Sequence, residues 1–366
     1  MKKFTSTLLA LAVCAGVMAG CAGAPADSTS GAAGSASTAA SSSSSSSAAG
    51  EKEPGLYVDG QKLDADPMMT INGREVSFDE YRYHFLTMLN LFGGRDNEFA
   101  KGDEAEQFES DLKNTTEESI LSFYAFEELA KEKNISLTAA EKQEVDDAIA
   151  AIQEQLGGEE AYQQALAQQY YTADVYHNLY LSSKLDEKVI KEVYGDEIRS
   201  DIEKNYVHAQ HILIPFATES AGGSESGSAS ASAAEPDHAA ELAKAEEVLA
   251  KIEAGEDFEA LISEYGEDPG QPAQGYYFTT GQMVQEFEDA AFALQEGAVS
   301  GIVETSYGYH IIKRLPLESD YVDANLTNMI GEEAAQKINN DLGALMEQMD
   351  IVYADNYDQV TSQTMY

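Results

Sequence analysis

The chain has 366 residues, 43% of them hydrophobic, which exceeds one small domain and suffices for a buried core. Its 65 acidic residues against 22 Lys and Arg give a formal net charge of -43 at pH 7. That charge argues against a nucleic-acid partner, whose phosphates it would repel, and against adhesion to anionic lipid through the protein surface.

The N-terminus reads as a targeting segment. Met1-Lys2-Lys3 is cationic and residues 8–19 are apolar. That core is shorter than the roughly 20 residues of a spanning helix. It ends in Met18-Ala19-Gly20-Cys21, which resembles a bacterial lipobox. The resemblance implies that residues 1–20 are a lipoprotein signal peptide and that Cys21 carries lipid. The alternative is an ordinary signal peptide followed by a chance cysteine. With Cys14 removed and Cys21 acylated, the two cysteines leave no thiol nucleophile and no disulfide. Residues 22–50 are almost wholly Ser, Ala and Gly, which cannot bury apolar surface. Residues 21–66 are therefore read as a flexible tether, of which the Ser/Ala/Gly run spans roughly 30 Å on average.

Order is expected to begin near Met69. Asn72-Gly73 is a hairpin turn signal, and Ser77-Phe78-Asp79-Glu80 is a capping box. Phe78, Tyr81, Phe85, Met88 and Leu89 follow at helical spacing. Further helices are expected at about 104–132, 138–156, 159–168 and 172–193, with Thr138 to Glu141 capping one and Gly157-Gly158 ending it. Residues 67–202 thus read as a helical domain.

Near residue 203 the pattern changes. Val207 to Ile214 reads as a strand, and a low-complexity stretch from Ala217 to Ala234 interrupts. A helix carries Leu242, Ala245, Val248, Leu249 and Ile252 on one face and stops at Gly255. A short helix follows, then a turn at Asp268-Pro269-Gly270, a strand near 276–278, a helix near 287–294 and strands near 299–304 and 309–315. Residues 203–316 form a compact α+β unit. Residues 317–366 return to helix, with Ile330, Ala334, Ile338, Leu342, Leu345 and Met349 in one stripe. That stripe needs a partner, and the N-terminal helical region is the economical one. The expected class is α+β: a small antiparallel sheet with helices, inserted between N- and C-terminal helical segments that form one domain.

The blocks "AQHILI", "KAEEVLAKIEAGEDFEALISEYGEDPG" and "GQMVQEFEDAAFALQEGAVSGIVETSYGYHIIKRL" resemble the parvulin family of peptidyl-prolyl cis/trans isomerases. With the lipobox, tether and helical flanks, the layout is similar to the PrsA-type foldase lipoproteins. The resemblance implies that the flanks form a chaperone-like domain and that the inserted unit lets an X–Pro bond rotate. Rotation crosses a barrier of roughly 20 kcal/mol and breaks no covalent bond. It needs an apolar grip on the proline ring and a polar floor for the twisted amide.

The resemblance assigns Phe278, Met283 and Phe287 to the proline pocket, with Tyr277 in place of a pocket leucine. The segment Gly275-Tyr276-Tyr277-Phe278 is about two residues shorter than the family pattern. His211, Asp268, Thr305 and His310 correspond to a hydrogen-bonded polar network that acts by polarising the pocket rather than by proton transfer. Read without the resemblance, the two histidines are satisfied core residues, and Met283 and Phe287 are core. His208 and His211 lie three apart on a strand, on opposite faces, so they are not a metal pair, and no cofactor is implied. From Phe216 to His238 there is no Lys or Arg but Glu219, Glu225, Glu235 and Asp237, so no phosphate dependence is expected. The implied function is a lipid-anchored extracytoplasmic foldase acting on unfolded exported polypeptides. The alternative is a holdase with a weak or silent isomerase unit. Homodimerisation is left open.

Overall fold

The computed structural model describes residues 53–217 and 238–366. The signal peptide, Cys21, the Ser/Ala/Gly run and nearly all of the acidic insert lie outside the described residues. Strands β1 (Leu56–Val58), β2 (Gln61–Leu63), β3 (Met69–Ile71) and β4 (Arg74–Val76) come first. Helices α1 (Phe78–Leu91), α2 (Ala105–Lys133), α3 (Ala139–Gln155), α4 (Glu159–Gln168) and α5 (Ala173–Asn205) follow. Then come β5 (Tyr206–Pro215), α6 (Ala239–Glu253), α7 (Phe258–Tyr265), β6 (Tyr276–Thr279), α8 (Gln285–Ala293), β7 (Val299–Thr305) and β8 (Gly308–Leu315). The chain closes with α9 (Ser319–Asn325), α10 (Glu332–Met346) and β9 (Ile351–Tyr353). The fold is mixed, with helices around small antiparallel sheets, as expected.

The described residues divide into two units, 53–197 with 332–366, and 198–217 with 238–331. In the first, Asn72 (φ 50°) and Gly73 (φ 79°) turn β3 into β4. Both adopt the left-handed conformation that this hairpin needs. Ser77 Oγ accepts from Glu80 N at 3.1 Å and caps α1. Thr138 and Glu141 form the full reciprocal box that starts α3. Lys188 of α5 reaches Glu141 at 2.8 Å, tying α3 to α5. The core gathers Ile71, Tyr81, Phe85, Leu112 and Ile120 with Val360 and Met365 from the far end of the chain.

Two expectations are corrected in this unit. Residues 53–66, read as part of the tether, instead form the β1–β2 hairpin around Asp59 (φ 49°) and Gly60 (φ 80°). Leu56 is fully buried there, and Gly55 N donates to Tyr366 O at 2.8 Å. The C-terminal segment is also more than helix, because β9 pairs antiparallel with β3, setting Met69 opposite Tyr353. Within the stripe, Ala334, Ile338 and Leu342 are the buried positions of α10. Ile330 precedes that helix and lies in the other unit.

The second unit is a four-stranded antiparallel sheet in the order β6-β5-β8-β7. Side chains alternate across it. Ile212, Ile214, Tyr309 and Ile311 face α6 and α7 through Ala245, Val248, Phe258 and Leu261. Val207, Ala209 and Ile312 take the other face, with Phe278 of β6 and Phe287 and Ala291 of α8. His211 and His310 lie on the two central strands, in phase with this second set.

Candidate active site

Strand pairing places the two histidines. His211 is registered opposite Ile312 and His310 opposite Leu213, so the rings are diagonal neighbours on one face. Their Nδ1 atoms are 3.0 Å apart and both side chains are buried. His211 Nε2 lies 2.8 Å from Asp268 Oδ2. His310 Nε2 lies 2.8 Å from Thr305 Oγ1, at the end of β7. One assignment with neutral rings satisfies every member. Thr305 O–H donates to His310 Nε2, His310 Nδ1–H donates to His211 Nδ1, and His211 Nε2–H donates to the Asp268 carboxylate.

Asp268 ends this chain of bonds as its anion. Its Oδ1 accepts from Gly270 N at 2.8 Å, the turn expected at Asp268-Pro269-Gly270, and its Oδ2 accepts from Tyr276 Oη at 2.9 Å. The His211 hydrogen bond, aided by those donors, holds Asp268 down at about 2 against the effect of burial. Burial pulls His310 down to about 4, with His211 pushing the same way and Asp268 opposing. His310 is therefore a neutral ring across the physiological range.

An apolar wall stands against this network. The Phe287 ring sits 5.2 Å from His211 and 5.4 Å from His310, edge-on to both. Phe278 lies 5.8 Å from Phe287, and Met283 packs on the same cluster. Phe278 and Phe287 are buried while Met283 and Tyr276 are half-exposed, so Met283 and Tyr276 form the accessible rim. Glu288 accepts from Gly281 N at 2.6 Å and pins the loop that carries Met283.

His211, Asp268, Thr305, His310, Phe278, Met283 and Phe287 are thus brought together. Tyr277 is not. It points to the opposite face, stacked 3.9 Å from His208 and 3.7 Å from Tyr321. The reason is strand alternation: Tyr276 and Phe278 share the site face and Tyr277 between them cannot. Tyr276 was missed, though its spacing of two from Phe278 carried the signal. Gln271 was missed as well, and no sequence pattern marks it. Its side-chain amide accepts from His211 N at 2.7 Å and donates to His211 O at 3.2 Å, a substitute strand partner just before β6 begins. His208 lies on the other face, with its ring nitrogens 2.6 Å from Pro316 O and 2.7 Å from Gln274 O.

Comparison with known proteins follows this geometry. Residues 196–315 match the family model described as the PPIC-type PPIase domain. The match contains every residue of the network and of the wall.

Residues 196–315 are a parvulin-type peptidyl-prolyl isomerase domain.

The chain is similar to the foldase protein PrsA of Geobacillus kaustophilus, 53% identical over 72 residues, which is 19% of this chain and 26% of that protein. The chain thus spans about a quarter of the length of that curated relative. It is also similar to the foldase protein PrsA of Oceanobacillus iheyensis, 30% identical over 216 residues, 57% of this chain and 62% of that protein. The crystal structure of PrsA from Bacillus subtilis is 25% identical, covering 70% of this chain and 93% of that one, with a TM-score of 0.27. The matched segment begins at residue 196, within α5.

Proposed function

We propose that the protein is a foldase that catalyses cis/trans rotation of X–Pro bonds in unfolded exported polypeptides. The observation that carries this reading is the 3.0 Å His211–His310 contact, closed by Asp268 and Thr305 and set edge-on to Phe287. Met283, Phe278 and Phe287 would seat the proline ring. The network beneath would present fixed dipoles to the amide as it twists, which lowers the barrier without proton transfer.

The same reading makes the protein a lipoprotein, held outside the cytoplasmic membrane by Cys21. No helix among the described residues is long and apolar enough to cross a membrane. The net charge of -43 would keep the body of the protein off anionic headgroups. The flanking segments would act as a chaperone-like domain. The absence of Lys and Arg between Phe216 and His238 supports unphosphorylated substrates.

A protease-coupled assay on an Ala–Pro peptide tests the activity, and a rate no higher than the uncatalysed one ends the isomerase reading. A phosphoserine–proline peptide is expected to turn over more slowly than its unphosphorylated form, and the reverse order would end the claim of phosphate independence. Labelling with radioactive palmitate, lost in Cys21→Ala, tests the anchor. A second reading, a holdase, is favoured by Leu91, Phe99 and Val352 of the first unit, which are 76%, 51% and 57% exposed. It predicts suppressed aggregation of an unfolded client that survives His310→Ala.

A further inference from the structure

Tyr276 stands on the site face beside Phe278, and its hydroxyl bonds a member of the network. The backbone explains how it gets there. Gly275 has φ +94°, and a Cβ on it would stand 2.7 Å from Ala209 O, so no side chain fits at that step. The chain then enters β6 with Tyr276 opposite Ala209, on the face that carries His211 and Phe278. The Tyr276 ring stands 5.9 Å from the His211 ring at 89°, and its hydroxyl reaches Asp268 Oδ2 at 2.9 Å.

We propose that Tyr276 is a positioning residue for the isomerase site: its hydroxyl holds the Asp268 carboxylate oxygen that fixes the orientation and tautomer of His211. The inference rests on the isomerase reading of the site. The physical argument is one of shared acceptors. Asp268 Oδ2 serves both His211 Nε2 at 2.8 Å and Tyr276 Oη at 2.9 Å, while Oδ1 is taken by Gly270 N. With Oδ1 tied to the turn backbone, the remaining rotation of the carboxylate is set by the two donors at Oδ2. Removing the hydroxyl leaves His211 as the sole donor there, so the carboxylate can rock away from the ring. The direction of the whole bond chain through His310 to Thr305 depends on His211 keeping its proton on Nε2. Burial, followed by the bond to Asp268, raises the phenol above its ordinary range, so it remains a donor at all working pH values.

The test is Tyr276→Phe in the full chain, which keeps the ring and removes only the hydroxyl. The expected kinetic result is a loss of about fivefold in kcat/KM on the Ala–Pro peptide with KM unchanged. The expected spectroscopic result is a change in the ring 15N shifts of His211 at pH 7.5, away from a pure Nε2–H tautomer. In an Asp268→Ala background the same change is expected to have no further effect on either readout, because the acceptor it positions is gone. Unchanged His211 ring shifts in Tyr276→Phe overturn the proposal. So does an activity loss of equal size in both backgrounds, which would mean that the hydroxyl matters only to packing. If the wild type itself shows no isomerase rate, the functional reading fails, while the ring shifts still decide whether Tyr276 positions His211.

Discussion

Acid should unlock the isomerase domain before it protonates Asp268, and the reason is His310. The ring is 4% exposed and held at about 4, against 6.5 for the free side chain. The folded pKa is depressed, so the unfolded chain takes up the proton first as pH falls. Stability from the neutral ring is complete above about 6.5 and drains away as pH drops toward 4. The interval of 2.5 units corresponds to about 3 kcal/mol at 1.36 kcal/mol per unit. Asp268, at about 2 against 3.8 unfolded, adds its own loss only below about pH 4, so the two windows separate. Hydrogen exchange of β5 and β8 amides, corrected for the intrinsic pH dependence of exchange, reads the opening free energy of this domain apart from the rest of the chain. In the wild type it should fall by about 3 kcal/mol between pH 7 and pH 4. In His310→Gln, which cannot charge, most of that slope should vanish. Equal slopes in the two proteins, or a flat wild-type curve, would refute the argument that a desolvated neutral imidazole closes the site.

Three further outcomes follow from the geometry. Phe287→Ala removes a 3%-exposed ring shared by both histidines and should cost about 3 kcal/mol in urea unfolding of the domain, whereas half-exposed Met283→Ala should leave stability nearly intact and raise KM. Gly275→Ala forces a Cβ against Ala209 O at positive φ and should cost about 2 kcal/mol by thermal unfolding, with β6 amides losing protection first. In the first unit, burial holds His84 at about 3, so α1 and α2 should lose exchange protection as pH falls from 6.5 toward 3, and His84→Leu should flatten that loss while leaving Ser119 Oγ without the partner it has at 2.9 Å.

Much of the site was legible through the resemblance of its motifs to the parvulin family, and strand alternation explains how its two histidines meet. "HAQHILI" and "YGYHIIK" each mark which side chains share a face, and pairing two such strands brings their histidines together. Tyr277 was misplaced by following the family layout instead of the same alternation, which puts Tyr276 and Phe278 on the site face. The β1–β2 hairpin was overlooked although Asp59-Gly60 is the same type of turn signal as Asn72-Gly73. Its strands are three residues each, too short to show a period, and they stand next to a Ser/Ala/Gly run that drew the boundary past them.

The sequence by itself determined the local elements, their caps and turns, the faces that must be buried, and the chemistry available: imidazoles, one carboxylate, a hydroxyl and an aromatic–thioether wall. The elements, caps, turns and buried faces follow from periodicity and side-chain type, which act over a few residues, whereas the grouping of those side chains into one site was implied by the parvulin resemblance. Only the tertiary structure decided that Gln271 would stand in for a strand beside His211, that Tyr276 would reach Asp268, and that β9 would pair with β3 from 280 residues away in the chain. Those contacts depend on placing segments that are remote along the chain to within a few tenths of an ångström. Such distances are fixed when whole faces pack against each other, and no local pattern encodes them.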